Sequence, residues 1–269
     1  MGVALDTIGL HATQAATPAN PLALAAVSGD SLTVRNYATT DKAWLTGVGL
    51  NFATYAAGDD IQITSPMLHN DVTGINFATA ENPSAFLMPR EVGQMLTPGD
   101  TLAAEVTDGT ASDVATASLH TYYANLPGAA ARLASWSDIK GNVKYIKQVK
   151  VAVTAAAGAW VDTLLGTNAD VLHSKSDYAV LGYVLDANAT AVGVKGQFTS
   201  NLRACGPGVD STLSISDYFV GMAEKIGMPH IPVFNADDRL AVYVSLLASA
   251  AGTVHVTLNL AELATPFPK

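Results

Sequence analysis

The same order of strand and turn patterns occurs twice along the chain, and this repeat most constrains the fold. Short runs of hydrophobic residues alternate at period two, which is typical of half-buried β-strands. Turn sequences separate the runs, for example Thr97-Pro98-Gly99-Asp100 in the first half. The segments that correspond, first half with second half, are Ser31–Arg35 with Gln148–Val151, Ala43–Leu45 with Ala159–Val161, Asp60–Gln62 with Asp170–Leu172, Gly74–Phe77 with Gly182–Leu185, Asp100–Val106 with Asp238–Val244, and Ala117–Leu126 with Val254–Leu263.

The repeat predicts an all-β fold of two tandem antiparallel jelly-roll sandwiches. We expect residues 31–126 to form the first jelly roll, and residues 145–269 to form the second with a C-terminal tail. Residues 127–144 are predicted to connect them. Residues 1–30 are rich in Ala, Thr, Pro and Asn with weak periodicity, so we expect an extended arm that neighbouring subunits hold in place.

Short helices are predicted in the connector and before the last hairpin of each sandwich. Ser214–Ile226 has hydrophobic residues at helical spacing, and Gly227 is suited to end a helix. Pro89–Leu96 begins with proline, a residue favoured in the first turn. Pro127–Lys140 has helical character and is followed by Gly141.

The composition is unusually poor in charge. Charged residues make up 14% of the chain and hydrophobic residues 49%, whereas about 25% charged residues is typical of globular domains. A surface with so few charged groups favours extensive contact with partners. The sequence therefore predicts an obligate oligomer or larger assembly.

The charge pattern argues against direct contact with nucleic acid. The formal net charge is −9, and proteins that wrap nucleic acid need clustered Lys and Arg to neutralise phosphates. One local group of lysines stands out, Lys140, Lys144, Lys147 and Lys150. It is interpreted either as a small basic patch or as a solvated strand face and linker.

No segment is predicted to anchor the chain in a membrane. The longest apolar stretch, Leu240–Val256, is interrupted by polar residues and is better interpreted as two strands and a turn. The N-terminus lacks the basic region of a signal peptide, since the first Lys or Arg is Arg35. The single cysteine, Cys205, permits no intrachain disulfide and is interpreted as an incidental thiol, compatible with a reducing cytoplasm.

The sequence predicts no catalytic, cofactor-binding or metal-ligating residues. Phosphate-binding, dinucleotide-binding, zinc-protease and nucleophile-elbow motifs do not occur. The six histidines are scattered and are interpreted as single residues at strand ends and turns: His11, His69, His120, His173, His230 and His255. Loop carboxylates leave structural calcium at subunit interfaces open beside ordinary turn chemistry, namely Asp59, Asp60, Asp108, Asp113, Asp237 and Asp238.

The repeated segments, the helix before the last hairpin, the connector and the arm together resemble the double-jelly-roll major capsid proteins of tailless icosahedral viruses. The size is most similar to the corticovirus- and tectivirus-like bacteriophage forms. The resemblance covers about Ser31–Leu263 and depends on architecture, without a diagnostic motif.

The resemblance implies a structural, non-enzymatic protein that self-assembles as a trimer. Six jelly rolls would make a pseudo-hexameric tile of an icosahedral virion shell assembled in the host cytoplasm. The implied partners are the homotrimer, neighbouring capsomers, and minor vertex or membrane-associated virion proteins. Apposition to an internal viral membrane is also implied, without a transmembrane segment.

Two other classes of protein remain open at this point. A β-sandwich spike or adhesin that binds a receptor or carbohydrate would expose aromatic side chains in loops. Trp44 and Trp160 lie at matching positions in strand patterns, which favours core positions. Trp136, in the connector, is compatible with either class. A cupin-like or hydrolytic sandwich enzyme would bring polar residues together, and the motif search favours it least.

Overall fold

Strand pairing begins almost at the N-terminus. The computed structural model describes residues 2–26, 30–36, 42–67, 74–78, 84–87, 94–126, 132–155, 161–164, 172–173, 175–187, 194–200, 208–210, 216–236, 240–246 and 252–268.

The described residues of the first half form ten strands in two antiparallel sheets. They are β1 (Gly2–Thr13), β2 (Leu22–Ala23), β3 (Ala25–Ala26), β4 (Lys42–Phe52), β5 (Asp60–Thr64), β6 (Ile75–Ala78), β7 (Ser84–Leu87), β8 (Gln94–Leu96), β9 (Ala103–Thr107) and β10 (Val114–Leu126). Strands β7 and β8 pair with successive parts of β4, so together they occupy one position in the sheet.

In the second half, nine strands and two helices lie within the described residues. They are β11 (Leu133–Ala134), α1 (Trp136–Ile139), β12 (Val143–Ala155), β13 (Val161–Leu164), β14 (Asp177–Ala187), β15 (Val194–Ser200), β16 (Gly208–Asp210), α2 (Tyr218–Ile226), β17 (Ile231–Asn235), β18 (Leu240–Leu246) and β19 (Gly252–Leu263).

The two halves have the same strand order. Without the short added strands β3 and β11, one sheet of each sandwich takes its strands in the order first, eighth, third, sixth. This order is β1-β10-β4-β7/β8 in the first sandwich and β12-β19-β14-β17 in the second. The facing sheets follow the order second, seventh, fourth, fifth, as β2-β9-β5-β6 and β13-β18-β15-β16. This is the double-sheet jelly-roll arrangement, and the predicted fold class is confirmed.

Each sandwich has a hydrophobic core. In the first, alternate residues such as Ile61 and Ile63 of β5 point inward and are fully buried. In the second, Val149, Val151 and Val153 of β12 do the same. The second core also includes Leu5, Trp44 and Tyr122 from the first half of the chain, so the two sandwiches pack against each other.

Local signals account for both helices. Ser135 and Asp138 form a capping box at the start of α1, in which each side chain receives the other residue's backbone N–H. Helix α2 ends at Gly227, whose φ of 66° is the left-handed conformation that glycine adopts readily. The predicted end of the second helix is therefore confirmed, although α2 begins at Tyr218. The helical character predicted for Pro127–Lys140 is confirmed at Trp136–Ile139 and wrong at Leu133–Ala134, which form β11 because they pair with β17.

The structure differs from the prediction at the N-terminus. Residues 1–30 were expected to form an arm, but Gly2–Thr13 is the first strand of the first sandwich and pairs with β10 along its length. Ser31–Arg35, which we matched with Gln148–Val151, is not a full strand: it forms an isolated bridge between Thr33 and Thr101, flanked by backbone hydrogen bonds of Leu32 and Val34. The counterpart of β12 is therefore β1. Of the segments matched across the repeat, only those in the last two strands of each sandwich lie on corresponding strands.

The helix predicted for Pro89–Leu96 is wrong at Gln94–Leu96, which form β8. Pairing with β4 decides the conformation, because it buries Leu96 and leaves Met95 exposed, the alternation of a strand. The remainder of that segment, residues 89–93, lies outside the described residues.

Candidate functional site

Strands β1, β4 and β10 are buried on both faces along most of their length. One face carries Ile8, Leu10 and Val48, which pack in the core of the first sandwich. The opposite face includes Thr7 and its cross-strand partner His120, and both are buried as well. Strand β1 also runs close to β15 and β16 of the second sandwich. An outer sheet face that would otherwise contact solvent is thus the docking surface between the sandwiches.

Four residues with aromatic rings, two from each sandwich, meet at this docking surface: His120, Tyr122, Tyr218 and His230. The Tyr218 hydroxyl at the start of α2 is hydrogen-bonded to His120 Nδ1 on β10 at 3.0 Å. The ring of His230 stacks on Tyr122 with centroids 5.8 Å apart, and its backbone N–H donates to the carbonyl of Ala134. Helix α2 and the start of β17 are therefore joined to the outer face of the first sandwich.

Burial determines the charge state of His230. Together with the smaller electrostatic effect of nearby His120, it lowers the pKa of His230 to about 3. His230 is therefore neutral at pH 7. Its Nδ1 atom has no hydrogen-bond partner among the described residues.

A small cavity lies beside the cluster. Its volume is about 10 Å³, and it is lined by Thr46, His120, Tyr218 and His230 among others. One water molecule requires about this much space. The cavity is therefore too small to admit a sugar or another organic substrate.

A buried carboxylate organises one end of the second sandwich. Glu262 of β19 is 1% exposed, and its oxygens lie 3.0 Å from both Lys147 Nζ and His173 Nδ1. The hydroxyls of Ser176 and Tyr178 also donate to it. Burial raises the pKa of Glu262, but hydrogen bonds from His173 and Lys147 outweigh it and hold the pKa at about 2. Glu262 is thus an ionised centre that ties β12, β14 and the loop before β14 to β19.

A second buried ion pair fixes the C-terminal segment. Arg132 Nη2 lies 2.8 Å from Asp177 Oδ2, and Asp177 also accepts the backbone N–H of Phe267. Arg132 donates in turn to the Phe267 carbonyl. Burial raises the pKa of Asp177, but the hydrogen bonds from Arg132, Asn235 and Phe267 lower it overall. The connector, β14 and the C-terminal segment are held together here.

Three of the loop carboxylates considered for calcium, Asp59, Asp108 and Asp113, are buried near one another in the first sandwich. Asp59 and Asp113 accept backbone N–H groups of Ala56 and Thr54. Burial raises the pKa of Asp108, and the other two carboxylates add to this effect. Within the described residues, no group of three or more His, Cys, Asp or Glu is arranged to hold a metal ion. Calcium at subunit interfaces stays a prediction.

The outer face of β12 contrasts with that of β1. Its alternate residues Gln148, Lys150, Ala152 and Thr154 are exposed. Before them, Lys144, Tyr145 and Ile146 are also exposed, and Lys144 Nζ lies 5.1 Å from the centre of the Tyr145 ring. The lysine group noted in the sequence therefore lies on and beside an exposed sheet edge.

The structure brings together residues that the sequence left apart. Histidines 120 and 230 were interpreted as isolated, yet they interact at the docking surface. No local pattern could have revealed this, because the two residues belong to different sandwiches. Trp44, predicted as a core residue, packs against Tyr122 there. Trp160, His69, Cys205, Asp237 and Asp238 lie outside the described residues.

None of the described helices is long and apolar enough to cross a membrane.

No protein-family model matches the sequence, and no curated protein matches it either. Among solved structures, the chain is similar to one from Sulfolobus turreted icosahedral virus, with 11% identity, 99% of this chain and 81% of that chain covered, and a TM-score of 0.27. It is also similar to the major capsid protein of that virus, with 8% identity, 98% and 97% covered, and a TM-score of 0.24. A third is the CBM22-1–CBM22-2 tandem domain of Paenibacillus barcinonensis Xyn10C, with 11% identity, 97% and 91% covered, and a TM-score of 0.21. Likenesses of this strength do not assign the chain to a family.

Proposed function

We propose that this chain is the major capsid protein of a tailless icosahedral virus of the corticovirus- and tectivirus-like bacteriophage type. It acts without catalysis and self-assembles as a trimer. The trimer places six sandwiches in a pseudo-hexameric tile of the virion shell.

One observation carries the proposal. Two jelly rolls with the same strand order are docked through a sheet whose outer face is buried along β1 and β10. Docking of this kind makes the pair a single block with two equivalent lobes. Three such blocks around a threefold axis would present six similar lobes, a unit that tiles a surface with near-sixfold symmetry.

The composition supports an assembly role. A chain with 14% charged residues has little charge to cover its surface, and contacts between neighbouring copies would cover the rest. The partners are neighbouring capsomers and minor vertex or membrane-associated virion proteins. The net charge of −9 favours a shell that does not bind the genome directly.

The polar clusters also favour a structural role. The groups around Glu262 and the Arg132–Asp177 pair join separate segments of the second sandwich. The cluster of His120 and Tyr218 joins the two sandwiches, and the cavity beside it has room for about one water molecule. Each arrangement is accounted for by the contacts that hold the fold together.

The first test is the mass of the purified native protein, measured by light scattering, with electron microscopy of the same sample. The chain has a mass of 27.8 kDa, and we expect particles of three chains or shells built from hexagonal tiles. A protein that stays monomeric at every concentration would contradict the proposal. It would direct attention to the adhesin class and to a screen of sugars.

A further inference from the structure

We propose that the exposed outer face of the second sandwich docks on the edge of the first sandwich of a second copy of this chain. The contact would repeat, between chains, the docking that joins the two sandwiches within one chain. This inference rests on the self-assembly proposed above and names the two surfaces that would meet between neighbouring chains.

Strand pairing places a continuous set of exposed and half-buried residues on one face of the second sandwich. Lys150 of β12 pairs with Thr257 of β19, which pairs in turn with Val184 of β14. Residues directly opposite each other lie on the same face of a sheet, and the core residues Val149 and Val151 point to the other face. We call this surface the outer patch, and it consists of Gln148, Lys150, Ala152, Thr154, Val184 and Thr257.

The corresponding face of the first sandwich is already used for docking within the chain. Strands β1 and β10 are the first and eighth strands of that sandwich, as β12 and β19 are of the second. Thr7 and His120, on the outer face of β1 and β10, are 1% and 4% exposed, whereas Val184 in the outer patch is 44% exposed. Of two equivalent faces, one is therefore covered by the other half of the chain, and one is exposed.

The outer patch is similar in chemical character to the docked face. Apart from Lys150, its members are uncharged, and most of them are small. The docked face is likewise built from small uncharged polar residues beside its aromatic rings, among them Thr7 and Ser118. Charged residues are depleted at the centre of protein interfaces. A face of this composition is therefore suited to contact with another protein surface.

The docking within the chain also identifies the surface on the second copy. Strand β1 runs close to β16, which is the fifth strand of the second sandwich and the edge of its sheet. Strand β6 is the fifth strand of the first sandwich and the edge of the equivalent sheet, and its residues Asn76 and Ala78 are exposed. The β6 edge of a second copy is therefore the counterpart that the repeat assigns to the outer patch.

Repetition of this contact would close a ring. Each chain would offer its outer patch to one neighbour and its β6 edge to the other. Contacts between two different surfaces are heterologous, and they form a closed ring when the rotation from copy to copy divides a full turn. With three chains, such a ring contains six sandwiches in similar environments, which is the tile proposed above.

The inference is tested with the same alanine-to-arginine change at three exposed strand positions. Ala152→Arg alters the outer patch, Ala78→Arg alters the β6 edge, and Ala23→Arg in β2 is the matched control, because β2 lies at the opposite end of the sheet from β6. Mass against protein concentration is followed by light scattering, and circular dichroism verifies that each variant is folded. We expect the first two variants to need about tenfold more protein to assemble, and the control to behave as wild type. Assembly of both interface variants at the concentration of the control would overturn the inference.

Cross-linking tests which two surfaces meet. In a Cys205→Ser background, Ala152→Cys and Ala78→Cys are made as separate proteins and also co-expressed, and a short bismaleimide is then added. We expect cross-linked dimers from the co-expressed proteins and from neither protein alone, because the contact joins two different surfaces. Cross-linking of the Ala152→Cys protein with itself would mean that the outer patch binds its own copy, and the inference would be overturned.

Failure of this inference is distinguishable from failure of the proposed function. If wild type and control form trimers, the interface variants do so equally well and the co-expressed proteins do not cross-link, the inference is wrong and self-assembly stands. If the wild type stays monomeric at every concentration, both are wrong.

Discussion

Strands β1 and β12 occupy the same position in their two sandwiches and have opposite environments. Each is the first strand, paired with the last strand of its own sandwich. Residues 5–10 of β1 are all buried. In β12, buried Val149, Val151 and Val153 alternate with exposed residues. The same fold therefore has one first strand that is covered on both faces and another with an exposed face.

The difference shows how the tandem is built. The outer face of the first sandwich is used within the chain, where small polar residues such as Thr7, Thr46 and Ser118 are buried. The outer face of the second sandwich along β12 is exposed. The two copies of the fold therefore differ in that only the first uses the outer face of its first strand for docking within the chain, as far as the described residues show.

The largest expected effect comes from putting a charge on the covered face. Thr7→Lys would place an ammonium group where the side chain is 1% exposed. We expect a loss of about 4 kcal/mol or more, since an unpaired buried charge is strongly destabilising. The matched control, Thr154→Lys, adds the same group on the exposed face of β12 and should be nearly neutral. Urea midpoints from circular dichroism measure both, and similar losses in the two variants would refute the contrast between the faces.

A smaller loss is expected from Glu262→Gln. The variant removes the negative charge that compensates Lys147 and His173. Breaking a buried ion pair costs about 3 kcal/mol. The control, Glu224→Gln, changes an exposed carboxylate on α2 and should be silent. If both variants have the midpoint of the wild type, Glu262 is not a stabilising centre.

The stability lost in Glu262→Gln should decrease as the pH falls. The pKa of Glu262 is about 2 in the folded protein and 4.5 without its partners. Because the folded pKa is lowered, the stabilisation is fully present above about pH 4.5 and disappears as pH falls towards 2. The stabilities of wild type and Glu262→Gln should therefore converge in acid. A difference that stays constant between pH 6 and pH 3 would contradict this assignment.

The docking surface should make stability sensitive to mild acid through His230. Its pKa is about 3 in the folded protein and 6.5 ordinarily, so the unfolded chain binds a proton first as pH falls. Stability is full above about pH 6.5 and decreases by about 1.4 kcal/mol per pH unit below it, or about 2 kcal/mol by pH 5. His230→Gln should remove this dependence, measured by urea unfolding at several pH values. His11→Gln on β1 is the control, and an unchanged profile in the His230 variant would refute the assignment.

The sequence predicted the parts of the fold in which one face is buried and the other exposed. The last two strands of each sandwich, β9 with β10 and β18 with β19, were matched correctly across the repeat. In β9 and β19, buried and less buried residues alternate along most of the strand. Helix α2 was found because its buried residues recur at helical spacing and Gly227 ends it.

The sequence did not predict β1, and the reason is its double burial. Asp6, Thr7 and Gly9 are as buried as Leu5 and Ile8. A strand covered on both faces does not alternate between hydrophobic and polar residues. In β1, polar residues also interrupt the run of hydrophobic residues that would otherwise indicate a buried strand. The sequence also did not predict the hydrogen bond between His120 and Tyr218. This contact depends on how the two sandwiches pack against each other, which no local pattern specifies.

The smallest expected effect concerns the stability of α2. This helix lies between the fifth and sixth strands of the second sandwich and contacts the first sandwich through Tyr218. Gly227→Ala forces a side chain into a left-handed conformation at φ 66°. Since no atom lies within 4 Å of the added Cβ, the expected loss of about 1 kcal/mol reflects backbone strain alone. Gly221→Ala, inside the same helix and equally open, is the matched control and should gain a similar amount from helix propensity. Thermal unfolding measures both, and opposite shifts would show that a stable α2 supports the docked pair. Equal shifts would mean that docking holds the helix whatever its own propensity.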